Sequence, residues 1–473
     1  MIRCIILLIA LFPQCVSAQE KLPARSLQAM KQATEFYHQK VAVHGGYVYE
    51  YSLDLKQRQG EGQAAATEIW VQPPGTPTVG MAYMNAFEAT GDQQFLNAAV
   101  DAAQALIYGQ LESGAWTASI DFDLKGANAD RYRNGKGRAK GKNYSTLDDD
   151  KSQSAMCLLM RVDQALRFKN EEIHGATTLA LESLLSAQFP NGGFPQGWRA
   201  PVSKQPVKRA TYPEYNWRTE NRIKEYWDYY TLNDGLAGTV ARTLNLAHQT
   251  YGDAKYRQAM LKLGDFLILA QMPEPQPAWA QQYNYDMQPM WARKFEPPAI
   301  SGRESEDAMT TLLFLFEETG DQKYLAPIEP AIAWIKRSRL ADGQIARFYE
   351  MKTNRPLYFV RETYELTYDE SNLPTHYGFK SKPQIEKIEK RFQELRQSGK
   401  FSKSVSNLKT LTRDAERIIS ELDSEGRWLS DDKGKPVTAA THLQGTSQVI
   451  SSERFSRNMQ RLAEYFSAAG DGR

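Results

Sequence analysis

Apolar residues recur at helical spacing through most of the chain, and the helices they predict come in pairs. Near copies of one turn join the pairs: Thr90-Gly91-Asp92-Gln93-Gln94-Phe95, Tyr251-Gly252-Asp253-Ala254-Lys255-Tyr256 and Thr319-Gly320-Asp321-Gln322-Lys323-Tyr324. Eighteen residues after each Asp stand Gln110, Gln271 and Arg339, at the predicted end of the second helix. A Gly-x-aromatic segment follows: Gly114-Ala115-Trp116, Gly192-Gly193-Phe194, with further copies at Gly45-Gly46-Tyr47 and Gly426-Arg427-Trp428. The unit therefore reads helix, Gly-Asp turn, helix, loop, with the loop glycine supplying a left-handed turn that stops the second helix. One such unit cannot bury its apolar face alone, so units must stack or close on each other. The expected fold is all-α: an α/α toroid, complete or incomplete, with its Gly-x-aromatic loops crowding one mouth. An open solenoid is the alternative, disfavoured by long loops such as Pro201 to Trp227.

Alternating stretches are few. Tyr47 to Tyr51 and Leu357 to Val360 predict small β-hairpins at the mouth. Toward the C-terminus, helices are predicted over Pro383–Arg396 and Leu408–Leu422, and a last one capped by Ser452 with Glu453 in its first turn. Gly399 to Ser406 is the best linker candidate. The expected organisation is 1–18 as a signal peptide, 19–144 as N-terminal hairpins, 145–380 as the core, and 381–473 as a helical segment packing on the ring.

Composition changes the picture at few points. Arg3, the short apolar run Ile5 to Phe12 and the small residues Val16-Ser17-Ala18 read as a cleavable secretory signal, so a secreted or periplasmic location is expected, without a membrane anchor. Cys4 and Cys15 would leave with it. Cys157 then stands alone, in the apolar helical run Ala155 to Met160, and reads as a structural thiol. The net charge of +2 and the lack of a nucleic-acid-binding motif argue against a nucleic-acid partner. The basic stretch Arg131 to Lys142 reads as a solvated loop or, more sharply, as a patch that steers an acidic substrate. Nothing points beyond a monomer.

Candidate chemistry collects in four places: Asp148-Asp149-Asp150; Asn233-Asp234-Gly235; the stretch Trp279 to Glu304, dense in Trp, Gln, Arg and Glu; and Ala346-Arg347-Phe348-Tyr349 followed by Arg361. Flat apolar faces beside fixed hydrogen-bonding groups suit a ring-shaped polar ligand. A buried Trp-rich loop with Arg293 paired to Glu296 is the equally weighted alternative. Carboxylates flanked by Asn suit a hard cation such as calcium. There is no EF-hand loop, no zinc motif, no Gly-x-Ser-x-Gly and no phosphate- or dinucleotide-binding fingerprint.

Six motifs occur in order: Gly192-Gly193-Phe194-Pro195-Gln196, Asn233-Asp234-Gly235, Trp279-Ala280-Gln281-Gln282, Ala292-Arg293-Lys294-Phe295-Glu296, Ser301-Gly302-Arg303-Glu304-Ser305 and Ala346-Arg347-Phe348-Tyr349-Glu350. Together they resemble polysaccharide lyase family 10, the pectic acid (pectate) lyases, over roughly Ser145 to Phe379. The resemblance implies an α/α toroid that cleaves pectate or a related uronate polymer by β-elimination with Ca2+. It implies Arg293 as the base, Asp148, Asp149 and Asp234 at the metal, and Arg347 and Arg361 on substrate carboxylates. Trp279, Gln282, Asn233 and Glu304 are further substrate-binding candidates. The chain departs from the family pattern at Asn284, around His376, and over Asp149 to Ser152. Two other readings stand beside it: an inverting glycoside hydrolase using Asp234 with Glu296 or Glu304, and a non-catalytic glycan-binding relative.

Overall fold

The computed structural model describes residues 21–126, 128–218, 224–399, 407–431, 443 and 447–470. The signal segment and most of the Gly399 to Ser406 linker lie outside the described residues. Twelve α-helices are present among them: α1 Leu22–Phe36, α2 Thr76–Thr90, α3 Gln93–Tyr108, α4 Lys151–Ala165, α5 Glu171–Ser186, α6 Leu236–Tyr251, α7 Ala254–Ala270, α8 Gly302–Thr319, α9 Ile328–Arg337, α10 Ile385–Ser398, α11 Leu408–Ser420 and α12 Ser452–Gly470. They form an α/α toroid. The inner helices follow one another as α12, α2, α4, α6, α8 and α10, with α3, α5, α7, α9 and α11 outside. Helix α1, first in the chain, is the outer partner of α12, the last. No extended contact joins α10 to α12 among the described residues.

The Gly-Asp turns explain the pairing. Gly91, Gly252 and Gly320 each end an inner helix in the left-handed conformation, with φ of 71°, 72° and 72°. The next residue then opens the outer element: Asp92, Asp253 and Asp321 accept from the backbone N–H groups of Gln94, Lys255 and Lys323 at 2.9–3.0 Å. The left-handed stop therefore falls on the first helix of each pair. The second helix ends differently, and its loop glycine lies several residues further on.

That loop is built by a second repeat. The aromatic residues Tyr47, Trp116 and Trp279 each give their backbone N–H to a hydroxyl in the first turn of the next inner helix, Thr76, Ser152 and Ser305, at 2.9–3.2 Å. The same hydroxyls donate back to the carbonyls of Tyr47, Trp116 and Trp279. The indoles of Trp116, Trp279 and Trp428 each donate to a carbonyl near the end of the preceding outer helix, Leu106, Leu267 and Ile418, all at 2.8 Å. Short antiparallel ladders then fasten neighbouring loops, such as Tyr230–Thr231 to Gln282–Tyr283 and Ser145–Thr146 to Gly197–Trp198. The expected hairpins at Tyr51 and Leu357 are among these.

Two details differ from expectation and a third agrees with it. Helix α12 begins at Ser452, but the cap is Ser451, whose Oγ accepts from Arg454 N–H at 3.4 Å; the Ser452 hydroxyl instead donates to Val48 O at 2.6 Å. The basic stretch is tied down by its own acidic residue, since Asp130 accepts from the backbones of Arg138 and Lys142 and Tyr132 is buried. Cys157 is half-buried with Sγ 3.6 Å from Thr243 Oγ1, and burial pushes its thiol up to about 11, which fits a structural thiol.

Candidate active site

The chemistry sits where inner helices begin. The turn Asp148–Asp150 precedes α4 and the turn Asn233–Gly235 precedes α6, so two acidic turns face each other at adjacent helix starts. Their carboxylates benefit from the positive ends of those helices. Both turns run left-handed: φ is 48° at Asp149, 61° at Asp150, 52° at Asp234 and 70° at Gly235. Aspartate held in this region costs about 1 kcal/mol or more per residue, a strain that collects at functional sites. Asp148, Asp149 and Asp234 each present an oxygen within 4.8 Å of the others. Three hard oxygen donors at this separation fit a divalent cation such as calcium.

Each acid has a named neighbour. Gln196 Nε2 donates to Asp148 Oδ1 at 2.6 Å, Gln72 Nε2 to Asp149 Oδ2 at 3.2 Å, and Asn233 Nδ2 to Asp234 Oδ2 at 2.5 Å. Lys151 Nζ lies 2.8 Å from Asp148 Oδ2 and 3.5 Å from Asp149 Oδ2. Burial pushes Asp234 up to about 6, with Arg347 opposing and Glu304 and Asp149 adding to the rise. Burial likewise lifts Asp150 and Asp307 to about 6 each. Burial therefore works against ionisation at these three carboxylates.

Beside the acids lies a buried polar chain. Arg347 is clamped between Glu304 Oε1 at 2.8 Å, Asn233 Oδ1 at 3.1 Å and Gln281 Oε1 at 3.3 Å, with its guanidinium 4.4 Å from the Tyr377 ring centre. Tyr377 donates to Glu296 Oε1 at 2.8 Å. Glu296 in turn holds Arg293 in a bidentate pair, Oε2 to Nε at 2.8 Å and Oε1 to Nη2 at 2.6 Å. Arg293 keeps 41% of its side chain exposed, so the chain Glu304–Arg347–Tyr377–Glu296–Arg293 runs from the interior to the open mouth. Burial would lower the guanidinium pKa, but the Glu296 carboxylate outweighs it and raises it overall. Glu296 is lowered on balance: burial opposes its ionisation, and Arg293 more than compensates. The Tyr226 hydroxyl lies within electrostatic reach of Arg293, Glu296 and Asp148.

The sequence-predicted residues separate into groups. Asp148, Asp149 and Asp234 come together. Arg293, Arg347, Asn233 and Glu304 belong to the adjoining chain. Asn233 and Glu304 are buried and orient Arg347 rather than face the mouth; Glu304 also accepts a short hydrogen bond from Ser301. Gln282 is buried in a ladder and donates to the Tyr226 carbonyl. Trp279 is a correction. It is fully buried, and its indole caps α7 as Trp116 caps α3, so no face is open to a sugar. Arg361 is exposed and donates to Leu373 O at 2.9 Å; no contact brings it to the acids. Lys151, Gln196, Gln281, Tyr226 and Tyr377 were not assigned roles from the sequence. Gln196 and Gln281 lie inside the quoted motifs, and Lys151 follows the triple aspartate directly, which is the signal available for each.

Fold and site together define an α/α-toroid protein whose mouth joins an oxygen-rich acidic cluster to a half-exposed arginine, an arrangement for an anionic, oxygen-bearing ligand. Residues 110–345 match the pectic acid lyase family, a stretch that contains five of the six motifs, so the resemblance they carry holds there. A search of curated proteins finds no match. Among solved structures, the chain is similar to the family 10 polysaccharide lyase from Cellvibrio cellulosa, at 20% identity over 63% of this chain and 91% of that one, TM-score 0.46. It is also similar to a mutant of that lyase in complex with trigalaturonic acid, at 18% identity over 63% and 92%, TM-score 0.47. A glycoside hydrolase family 76 mannosidase from Bacteroides thetaiotaomicron is similar at 9% identity over 96% and 100%, TM-score 0.47.

Proposed function

We propose that this protein is a secreted lyase that cleaves pectate or a related uronate polymer by β-elimination, with Arg293 taking the proton from C5. The observation that carries the reading is the half-exposed Arg293, joined through Glu296, Tyr377 and Arg347 to the acidic cluster, with Arg293, Glu296 and the three aspartates inside the stretch matched by the pectic acid lyase family. The elimination moves the C5–H electron pair into a C4–C5 double bond and breaks the C4–O bond, whose oxygen then takes a proton. Asp148, Asp149 and Asp234 would hold calcium, which on binding neutralises a uronate carboxylate and makes its neighbouring C–H more acidic.

The chain's own residues supply the rest. Arg347 is fixed before substrate arrives and lends positive charge behind Tyr377. Glu296 holds the Arg293 fork in one orientation and, in doing so, keeps it protonated. The base role therefore requires the pair to open, and the exposed side of Arg293 is where a uronate enters to compete for it. The hydrolase alternative finds its carboxylates committed: Glu304 is buried against Arg347 and Ser301, and Glu296 is bound to Arg293.

The test is release of unsaturated product, followed by ultraviolet absorbance, from a panel of uronate polymers with and without chelator. Wild type should release it, and Arg293→Ala and Arg293→Lys should each lose on the order of 10²-fold or more of that rate, the scale of a lost proton-transfer group. Undiminished product from Arg293→Ala would overturn the role of Arg293. Reducing sugar without a double bond would select hydrolysis, and binding of oligogalacturonate without turnover would select a non-catalytic relative.

A further inference from the structure

The acidic cluster already contains a positive charge of the chain's own. Lys151 opens α4, a position where side chains usually reach solvent, yet only 6% of its side chain is exposed. Its Nζ lies 2.8 Å from Asp148 Oδ2 and 3.5 Å from Asp149 Oδ2, and both residues belong to the triad that would ligate a cation. Arg303 and Arg347 each lie 3.7 Å from Asp234 Oδ1, further from the oxygens than Lys151 is from Asp148; the other donors in the cluster, Gln196, Gln72 and Asn233, are neutral amides and cost an arriving cation no electrostatic repulsion. An ammonium does. It is a compact point charge with three donors, and here it already neutralises part of the triad. A divalent ion seated among the same oxygens would lie a few ångströms from it, at a separation where like charges repel strongly outside bulk water.

We infer that Lys151 is a tethered counter-ion that competes with divalent cations for the Asp148–Asp149–Asp234 cluster and thereby weakens calcium binding to the free protein. Resting as it does on the reading of this site as a lyase centre, the inference gives the polyuronate a second part. An anionic substrate brings the negative charge that lets a divalent ion and Lys151 share the site, so calcium binds well only when substrate is present.

The test is calcium added to the full chain in a calorimeter, without substrate. Lys151→Met keeps the length of the side chain and removes its charge; Lys151→Gln is the second variant, and circular dichroism with a melting curve confirms that each is folded. Either folded variant should bind calcium at least tenfold more tightly than wild type, equivalent to about 1.4 kcal/mol. Adding Asp234→Asn to that variant should cancel the gain and so place the ion at the triad. Equal or weaker binding by the folded variants overturns the inference, as does a gain that survives Asp234→Asn. A measurement on the unaltered chain stands independently of any variant: about 0.1 mM calcium, enough to occupy a strong extracellular site, should leave its melting temperature unchanged unless oligogalacturonate is present. Stabilisation by calcium alone at that concentration overturns the inference. None of these readouts needs turnover, so a chain that releases no unsaturated product defeats the lyase reading while leaving the fate of Lys151 to the binding data.

Discussion

Trp279 shows how one side chain can carry two opposite meanings. In the sequence it stands among Gln281, Gln282, Arg293 and Glu296, in company that suits a sugar. In the fold it is a lid on the interior, with its indole on Leu267 O and its backbone latched to Ser305. Trp279→Ala should therefore destabilise the protein by about 3–5 kcal/mol, the range for emptying a large aromatic site, and Trp279→Phe by less because the ring volume is mostly kept. Thermal or denaturant melting checks both, and the KM for substrate should stay as in wild type for the folded Phe variant. A raised KM at unchanged stability would return Trp279 to the ligand. The resemblance carried by the ordered motifs points to Arg293, Asp148, Asp149 and Asp234, and the three aspartates do come together; charge and spacing alone leave each acidic run equally readable as a helix start. The direction of Trp279 was not legible, since a loop has no periodicity to say which face a residue takes. Trp116 held the clue: it occupies the same place in its own unit, but the glycine that marks Ser113-Gly114-Ala115-Trp116 is replaced in Pro277-Ala278-Trp279.

Between elements, glycines with the same backbone sign differ greatly in what surrounds them. Gly252 ends α6 with φ at 72° and open space around its missing side chain. Gly192, in the loop after α5, has φ at 93°, and a Cβ there would fall 1.9 Å from the Lys262 carbonyl oxygen on α7. Backbone cannot swing aside as a side chain does. Gly252→Ala should cost about 1 kcal/mol, the left-handed penalty alone. Gly192→Ala should cost well over that, about 3 kcal/mol or more, because the loop must lift away from α7. Denaturant midpoints on the two variants give the comparison, and equal losses would mean that the close approach is not required. The helix pairs were readable from the Gly-Asp turns because a turn needing positive φ and a capping carboxylate leaves a local signature. The Thr76, Ser152 and Ser305 latches left none, because a hydroxyl in a helix's first turn is common and its partner lies some 30 residues away.

On the scale of the whole molecule, the two ends of the chain complete each other. Ser452 N donates to Tyr49 O at 2.9 Å, Glu50 pairs with Ser451, and the Phe455 ring stacks on Tyr37 at 3.9 Å. Helix α12 thus takes the inner position beside α2, with α1 outside it, and α2 is followed round the ring by α4, whose start carries the acidic cluster. That closure was not legible, because pairing the first helix with the last leaves no trace in the spacing of residues between them. It has an energetic consequence. Phe455, Met459, Leu462 and Tyr465 are buried on α12. At about 1.5–3 kcal/mol for each large side chain, their loss rivals the whole stability of a typical domain, about 5–15 kcal/mol. A chain ended after Gly399 keeps all of 110–345 yet uncovers Tyr37, Tyr83 and the apolar face of α2. It should therefore lose amide protection throughout α1–α3 in hydrogen exchange, and α4 should loosen next, because α2 packs on it. Helices α6–α9 should keep more of theirs. If α1–α3 stay as protected as in the full chain, the N-terminal hairpins hold themselves without α12, and the ring is assembled from independent pairs rather than closed through its ends.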